Sequence, residues 1–328
     1  MKNIQRFAML SLMVAGAFMG SVAQTKPITV FMIPKFVGIR YFDASEKGAR
    51  EAAGELGIKL VHKGATTASV PEQIKLIESA ISQRVDVISI AANDPAAIAP
   101  ALQQARDVGI KVVTWDADAN VRDLFVNQAT FRGMGETLVQ SMVSQVGTRA
   151  DVAIVTTSLT APNQSSWVAV IRELVRQKYP GLHLLEMRAP GENQEDAQAK
   201  TLDLLRRRPT IKGLWVLGGV PSPGVAEAVQ LTGNTGKIAV VPVATPQTMA
   251  AYIKDGTVRD VVLWNPIDLG YLSVYAAKAV VEGKAGIGGK FKAGRLKSYT
   301  VQADQIGQTV ILGLPKIFNA ANLDQFNF

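Results

Sequence analysis

Cysteine is absent from the 328 residues, and histidine occurs only twice. The first absence excludes a disulfide framework, a thiolate-ligated zinc or iron–sulfur site and a cysteine nucleophile. The second leaves His62, at the end of a strand-like run, and His183, just after Pro180-Gly181. Neither has an acid or a second histidine at ligand spacing, so both read as structural or exposed, and neither a zinc site nor a Ser-His-Asp triad is expected. The patterns G-x-G-x-x-G, G-x-x-x-x-G-K-[ST], G-x-S-x-G and H-E-x-x-H are missing as well.

What is present is apolar: 48% of residues are hydrophobic and 19% charged, which excludes a disordered chain. A length of 328 residues exceeds what one core usually supports, so two lobes are expected. The formal charge of +8 invites a nucleic-acid reading, but part of it lies at the N-terminus. Lys2 and Arg6 precede an apolar run from Ala8 to Val22, and Ser21-Val22-Ala23 has the small-x-small form of a signal-peptidase site. Residues 1–23 therefore read as a cleaved signal peptide. The run falls short of the roughly 20 apolar residues that span a bilayer, and no later stretch does better. Loss of Lys2 and Arg6, with no acid in the segment, takes +8 to +6. With no cysteine to carry a lipid, the mature chain is expected to be freely soluble outside the inner membrane.

After Gln24, short β-branched runs alternate with longer amphipathic ones, the pattern of parallel sheets covered by helices. Ile28–Ile33 reads as a first strand. A helix capped by Asp43 with Glu46 in a capping box follows, ending at Gly57. Ile58–His62, Val85–Ile90 and Ile110–Trp115 read as further strands, with helices opened by Ser69 and Pro71 and by Asp94-Pro95 between them. A second set begins near residue 130, with strands 152–156, 182–186, 214–217, 238–243 and 258–263 separated by helices. This is an α/β chain of two doubly wound lobes, with the long helix from Asp268 to Glu282 and the tail from Lys290 crossing back to complete them, so that multiple crossings form a hinge. The expected N-terminal lobe is 24–129 plus 265–300, and the C-terminal lobe 130–264 plus 301–328.

Open α/β sheets bind ligands at the carboxyl ends of their strands. Those positions hold Lys35 and Phe36, Tyr41 and Phe42, Asn93 and Asp94, and Asp116 and Asp118 in the first set. The second set offers Asn163-Gln164, Gly218-Gly219 and Thr245, and Leu263–Asp268 lies at the last crossing. Carboxylates and amides for vicinal hydroxyls, with aromatic faces for C–H surfaces, suit a sugar-like polyol and require no metal. Plainer roles compete at each position: Asp43 and Asp94 as helix caps, Asp116 and Asp118 as a solvated pair or as the two carboxylates of a glycosidase, Tyr41 and Phe42 as core, Gly218-Gly219 as a tight turn, Asn265 as a backbone tie.

Several segments together resemble the periplasmic sugar-binding proteins of ABC importers, in the branch that holds rhamnose-binding and autoinducer-2-binding proteins. They are Ile33–Phe36, Tyr41–Asp43, Ser89–Pro95, Thr114–Asp118, Val126–Gln128, Asn163-Gln164 with Trp167, Gly256–Val258, Leu263–Tyr271 and Asn322–Phe328. The resemblance implies the type I periplasmic binding protein fold, a sugar held between the lobes, delivery to a permease in the inner membrane, and no catalysis. It also implies no cofactor, no nucleic acid and a monomer. Carried over residue by residue, Lys35, Asp116 and Gln164 match the autoinducer-2 branch, whereas its Asp-Gln pair is Asn163-Gln164 here and its Pro-Asp-Ala turn is Leu217-Gly218-Gly219. The run Asn265–Tyr271, the Asn-Gln pair and Ala293–Leu296 look more like the rhamnose-binding branch, although that branch usually carries a bulkier polar turn at Gly218-Gly219. The expected ligand-binding set is Lys35, Phe42, Asn93, Asp116 and Asn163, with Gln164, Gly219, Asn265 and Asp268. Repressors of the lactose type share the fold, but they need a helix-turn-helix where this chain has a signal peptide.

Overall fold

A computed structural model describes residues 26–328, so the expected signal peptide lies outside the described residues. The first half runs β1 (Thr29–Ile33), α1 (Arg40–Leu56), β2 (Lys59–His62), α2 (Val70–Ser82), β3 (Val87–Ile90), α3 (Ala99–Asp107), β4 (Lys111–Trp115) and β5 (Leu124–Asn127). The second runs α4 (Phe131–Val146), β6 (Ala150–Thr156), α5 (Pro162–Gln177), β7 (Leu182–Arg188), α6 (Gln194–Arg207), β8 (Ile211–Leu217), α7 (Pro221–Leu231), β9 (Ala239–Pro242), α8 (Ala250–Lys254) and β10 (Val261–Leu263). The tail carries α9 (Pro266–Val281), the hairpin β11 (Lys290–Lys292) and β12 (Ser298–Thr300), then β13 (Gln302–Ala303), β14 (Gln308–Ile311) and β15 (Lys316–Phe318).

Strand β1 is buried at every position, as a strand covered by helices on both faces must be. Helix α2 opens as its sequence predicts: Ser69 accepts from the Glu72 amide and Pro71 sits in the first turn. Gly57 closes α1 in the left-handed conformation, at φ 63°. The start of α1 differs from expectation. The helix begins at Arg40, so Asp43 is an exposed first-turn residue whose amide bonds the Ile39 carbonyl, and Glu46 instead pairs with Arg50 and with His62 Nδ1 at 3.1 Å. Starting four residues earlier, with Ile39 rather than Asp43 at the N-cap, places Tyr41 and Phe42 on the helix, where Phe42 is buried.

The first sheet has the order β13-β14-β5-β4-β3-β1-β2 and is parallel apart from β13; the second, β7-β6-β8-β9, is parallel throughout. Helix α9 packs on α1 and on the first sheet, while α4 packs on α5 and the second. The chain therefore passes between the sheets at 128–130, 264–265 and 312–315. The last crossing departs from the expected boundary at residue 300. Thr309, Val310 and Ile311 pair with Phe125, Val126 and Asn127, so 302–311 complete the first sheet, and only β15 joins β10 beside the second. The reason is β5, a four-residue buried strand not anticipated from the sequence: its outer edge leaves backbone groups that a β-branched run far along the chain must satisfy.

Candidate functional site

The carboxyl ends of the two sheets face each other across a cavity of about 650 Å³ lined from both lobes. On the first lobe, Lys35 leaves β1 and is buried, with its Nζ 3.9 Å from Asp116 Oδ2. Its loop is pinned from behind. Gln73 on α2, fully buried, donates to the carbonyls of Pro34 and Ala91 at 3.1 and 2.8 Å and accepts from the Asn93 amide at 2.9 Å. Asn93 Nδ2 in turn donates to the Lys35 carbonyl at 3.0 Å. Asn93, expected to touch ligand, is thus not in the cavity wall; it orients the residue that is.

Asp116 follows β4 at the centre of a tight turn in which the Ala117 amide donates to the Trp115 carbonyl at 2.6 Å, with φ 61° at Asp116. A positive φ outside glycine costs about 1 kcal/mol or more, and aspartate is among the residues that tolerate it best. The turn directs the carboxylate into the cavity, where Tyr41 donates to Oδ1 at 2.8 Å, and Trp264 Nε1 donates to the Tyr41 hydroxyl at 3.1 Å. Trp264 stands at the second crossing and meets Trp167 of the second lobe with ring centroids 6.0 Å apart. Burial pushes the Asp116 carboxyl above its ordinary value, and Lys35 and Tyr41 oppose that shift. The Tyr41 hydroxyl is raised by burial and by the adjacent carboxylate, which keeps it a donor.

Phe42 forms the apolar wall, edge-to-face with Phe36 at 5.4 Å and Trp115 at 6.0 Å. Asp118 turns the other way. It accepts from Thr114 and from the Ala119 amide and pairs with Arg122 at 2.7 Å, which also holds Asp304 and the Gln308 carbonyl. Asp116 and Asp118 therefore do not flank one space, as a glycosidase pair would have to.

On the second lobe, Asn163 and Gln164 stand buried in the first turn of α5 and line the cavity. The Gln164 amide is already engaged: Oε1 accepts from the Thr157 amide at 2.9 Å and from Thr156, and Nε2 donates to Thr157 Oγ1 at 2.7 Å. Gln164 shapes the β6–α5 loop, while Asn163, whose Oδ1 accepts from the Gln164 amide at 2.9 Å, keeps its amine end for other partners. Gly218 is required by contact, since a Cβ there would lie 2.2 Å from Thr157 Cγ2, whereas a Cβ on Gly219 would meet nothing within 4 Å. Gly219 leaves open cavity where a side chain would stand.

Two expected residues are elsewhere. Asn265 caps α9, accepting from the Ile267 and Asp268 amides at 2.9 and 3.4 Å. Asp268 pairs with Arg295, which also holds Glu51. Neither lines the cavity. A cap at Asn265, three residues ahead of the first-turn acid Asp268, is a local signal legible in the sequence. Glu192 is the residue that was overlooked. It follows β7, a strand end like the others, in the short Gly191-Glu192-Asn193 loop, and it lines the cavity, as do Tyr252, Gln247 and Thr248. Among the described residues no group of three His, Cys, Asp or Glu is placed to hold a metal.

Residues 30–285 match the family model described as periplasmic binding protein domain. The D-ribose/D-allose-binding protein of Pseudomonas aeruginosa is 25% identical over 243 residues, 70% of this chain and 74% of that protein. Among solved structures, an ABC transporter solute-binding protein of Clostridium phytofermentas with bound L-rhamnose is 30% identical with a TM-score of 0.86, over 92% of this chain and 98% of that one. LsrB of Clostridium saccharobutylicum in complex with AI-2 is 25% identical with a TM-score of 0.87, over 92% of this chain and all of that one.

Proposed function

The chain belongs to the periplasmic binding protein domain family, and from that premise we propose that it captures a sugar, L-rhamnose or a related deoxyhexose, between its lobes for delivery to a permease of an ABC importer. The relatives named above are solute-binding proteins. The observation that carries the reading is the buried Lys35–Asp116 pair opening onto a cavity walled by Phe42, Trp167 and Trp264. Asp116 accepts from sugar hydroxyls, Lys35 donates, Asn163 meets the opposite edge, and the rings cover the C–H surface and the methyl group of a deoxyhexose. The similarity to the L-rhamnose complex supports the choice of sugar. Autoinducer-2 is a second reading, supported by the likeness to the AI-2 complex and by the same Lys35 and Asp116, and opposed by Asn163 and Gly219 in the second lobe. Closure stabilises the complex only by contacts the open form lacks.

A thermal-shift screen of L-rhamnose, L-fucose, D-ribose and autoinducer-2 tests the proposal. A true ligand at 100 times its Kd adds about 2.7 kcal/mol and raises the melting point visibly. L-rhamnose or L-fucose should give the largest shift; a larger one from autoinducer-2 would favour the second reading, and none from any of the four would remove both.

The raised Asp116 carboxyl sets a pH dependence. Only the ionised form is purely an acceptor, so affinity should hold near neutrality and fall on acidification, starting above the ordinary aspartate value of 3.8. Glu192, also raised by burial, lines the same cavity. Asp116→Asn should therefore leave a shallower fall that belongs to Glu192. Calorimetry between pH 4 and 8 reads both curves, and an identical profile in the variant would remove Asp116 from the site.

A further inference from the structure

The second lobe brings one charged side chain to the cavity wall among the described residues. Its other contributions include Asn163 and Gln164 from the β6 end, the bare Gly218-Gly219 turn after β8, and Thr245, Gln247 and Thr248 after β9. Glu192 supplies the charge, from a half-buried position beyond β7. The elements around it are fixed. Gly224 of α7 lies so close to α6 that a Cβ would stand 2.1 Å from the Gln194 carbonyl oxygen, and Gln194 Nε2 and the Tyr252 hydroxyl both donate to Glu227, at 3.0 and 2.9 Å. Burial raises the Glu192 carboxyl, and Lys35 and the Thr157 hydroxyl, which itself accepts from Gln164 Nε2 at 2.7 Å, oppose that rise.

The charge it faces belongs to the other lobe. Glu192 is drawn to Lys35 and repelled by Asp116, and Lys35 is already 3.9 Å from Asp116. Lys35 is thus the one buried cation of the wall, since Arg40, the other, is exposed at the start of α1. The two acids stand on opposite lobes and line one cavity, whose wall at Gly219 carries no side chain. A ligand that satisfies this arrangement must bring O–H donors on two edges and no negative charge of its own.

We propose that Glu192 is the specificity-determining residue of the second lobe, accepting hydroxyl hydrogens from the edge of the sugar opposite Asp116 and excluding sugar acids. This rests on the sugar-binding reading above and narrows it to neutral, hydroxyl-rich ligands. Neutral sugars gain two charge-assisted hydrogen-bonding edges, and a uronate forfeits one of them to like-charge repulsion.

The test titrates wild type, Glu192→Gln and Glu192→Asp with L-rhamnose, D-ribose, D-arabinose and D-glucuronate by calorimetry. Wild type should bind a neutral sugar and take D-glucuronate at least about a hundredfold more weakly. Glu192→Gln should weaken the neutral sugar about tenfold and shrink the gap to D-glucuronate by about tenfold or more. Glu192→Asp keeps the charge, so it should lose affinity while preserving the discrimination, which covers the case in which the glutamine variant folds poorly. Equal weakening of both ligand classes in Glu192→Gln, or unchanged binding, would overturn the assignment while leaving the sugar-binding reading intact. A wild type that binds none of the three neutral sugars would overturn that reading and this inference together.

Discussion

Asp116→Ala should raise the dissociation constant of the bound sugar by about thirtyfold, on the order of 2 kcal/mol. The carboxylate is buried, and its removal strands three groups at once: the Tyr41 hydroxyl, which donates to it at 2.8 Å, the Lys35 ammonium at 3.9 Å, and the sugar hydroxyls that would donate to it. Hydrogen bonds to charged groups contribute about 1.5–3 kcal/mol each, and a buried partner left unmatched carries its full desolvation cost. The backbone has to be separated from this effect. At φ 61° alanine is strained where aspartate is tolerated, so part of any loss of stability in Asp116→Ala comes from the turn itself. Asp116→Asn tolerates the same φ and removes only the charge, and should retain the melting point of wild type more closely while still binding weakly. Calorimetry on both variants checks this; full affinity in Asp116→Asn would mean that the negative charge has no part in recognition.

Gly270→Ala should destabilise the fold by about 3 kcal/mol, against a helix propensity that on its own would favour alanine by about 1 kcal/mol. The packing effect wins because of what the new methyl meets. A Cβ on Gly270 would lie 1.8 Å from the Ser45 carbonyl oxygen, and one on Gly48 would lie 1.8 Å from the Ile267 carbonyl oxygen. Helices α1 and α9 touch backbone to backbone at both points, so no rotamer change relieves the clash and the helices must part. Helix α1 carries Tyr41 and Phe42, and α9 follows directly on Trp264, so the separation should also lower sugar affinity. Denaturant unfolding of Gly48→Ala and Gly270→Ala reads the first effect; a midpoint equal to or above that of wild type in both would show that the helices are not in such close contact.

Much of the fold was legible because it is local. The apolar run of β1, the Ser69 cap with Pro71, and the left-handed Gly57 each declare themselves within one turn of chain. The site was legible in part for a related reason: strand ends are local features, and Lys35, Phe42, Asp116, Asn163, Gln164 and Gly219 do line the cavity. Polarity at a strand end does not say which way a side chain turns. Asn93 faces the Lys35 carbonyl, Asp118 faces Arg122, and Asn265 closes the helix behind it. Glu192 shows the converse: it too follows a strand end, but in a short loop that reads like any solvated acid, and its significance comes from sharing a cavity with Lys35 and Asp116, far along the chain on the other lobe.

The sequence by itself determined the alternation of strands and helices, the doubling into two lobes and the polar character of their facing edges, since hydrophobic period, caps and turn residues act over a few residues. The tertiary structure alone decided that 302–311 close the first sheet rather than the second, that two glycines let α1 and α9 meet, and that Lys35 and two carboxylates from opposite lobes line one cavity. Backbone pairing across about 180 residues, van der Waals contact and electrostatic coupling through a cavity depend on which distant groups the fold brings within a few ångströms, and no local pattern encodes that.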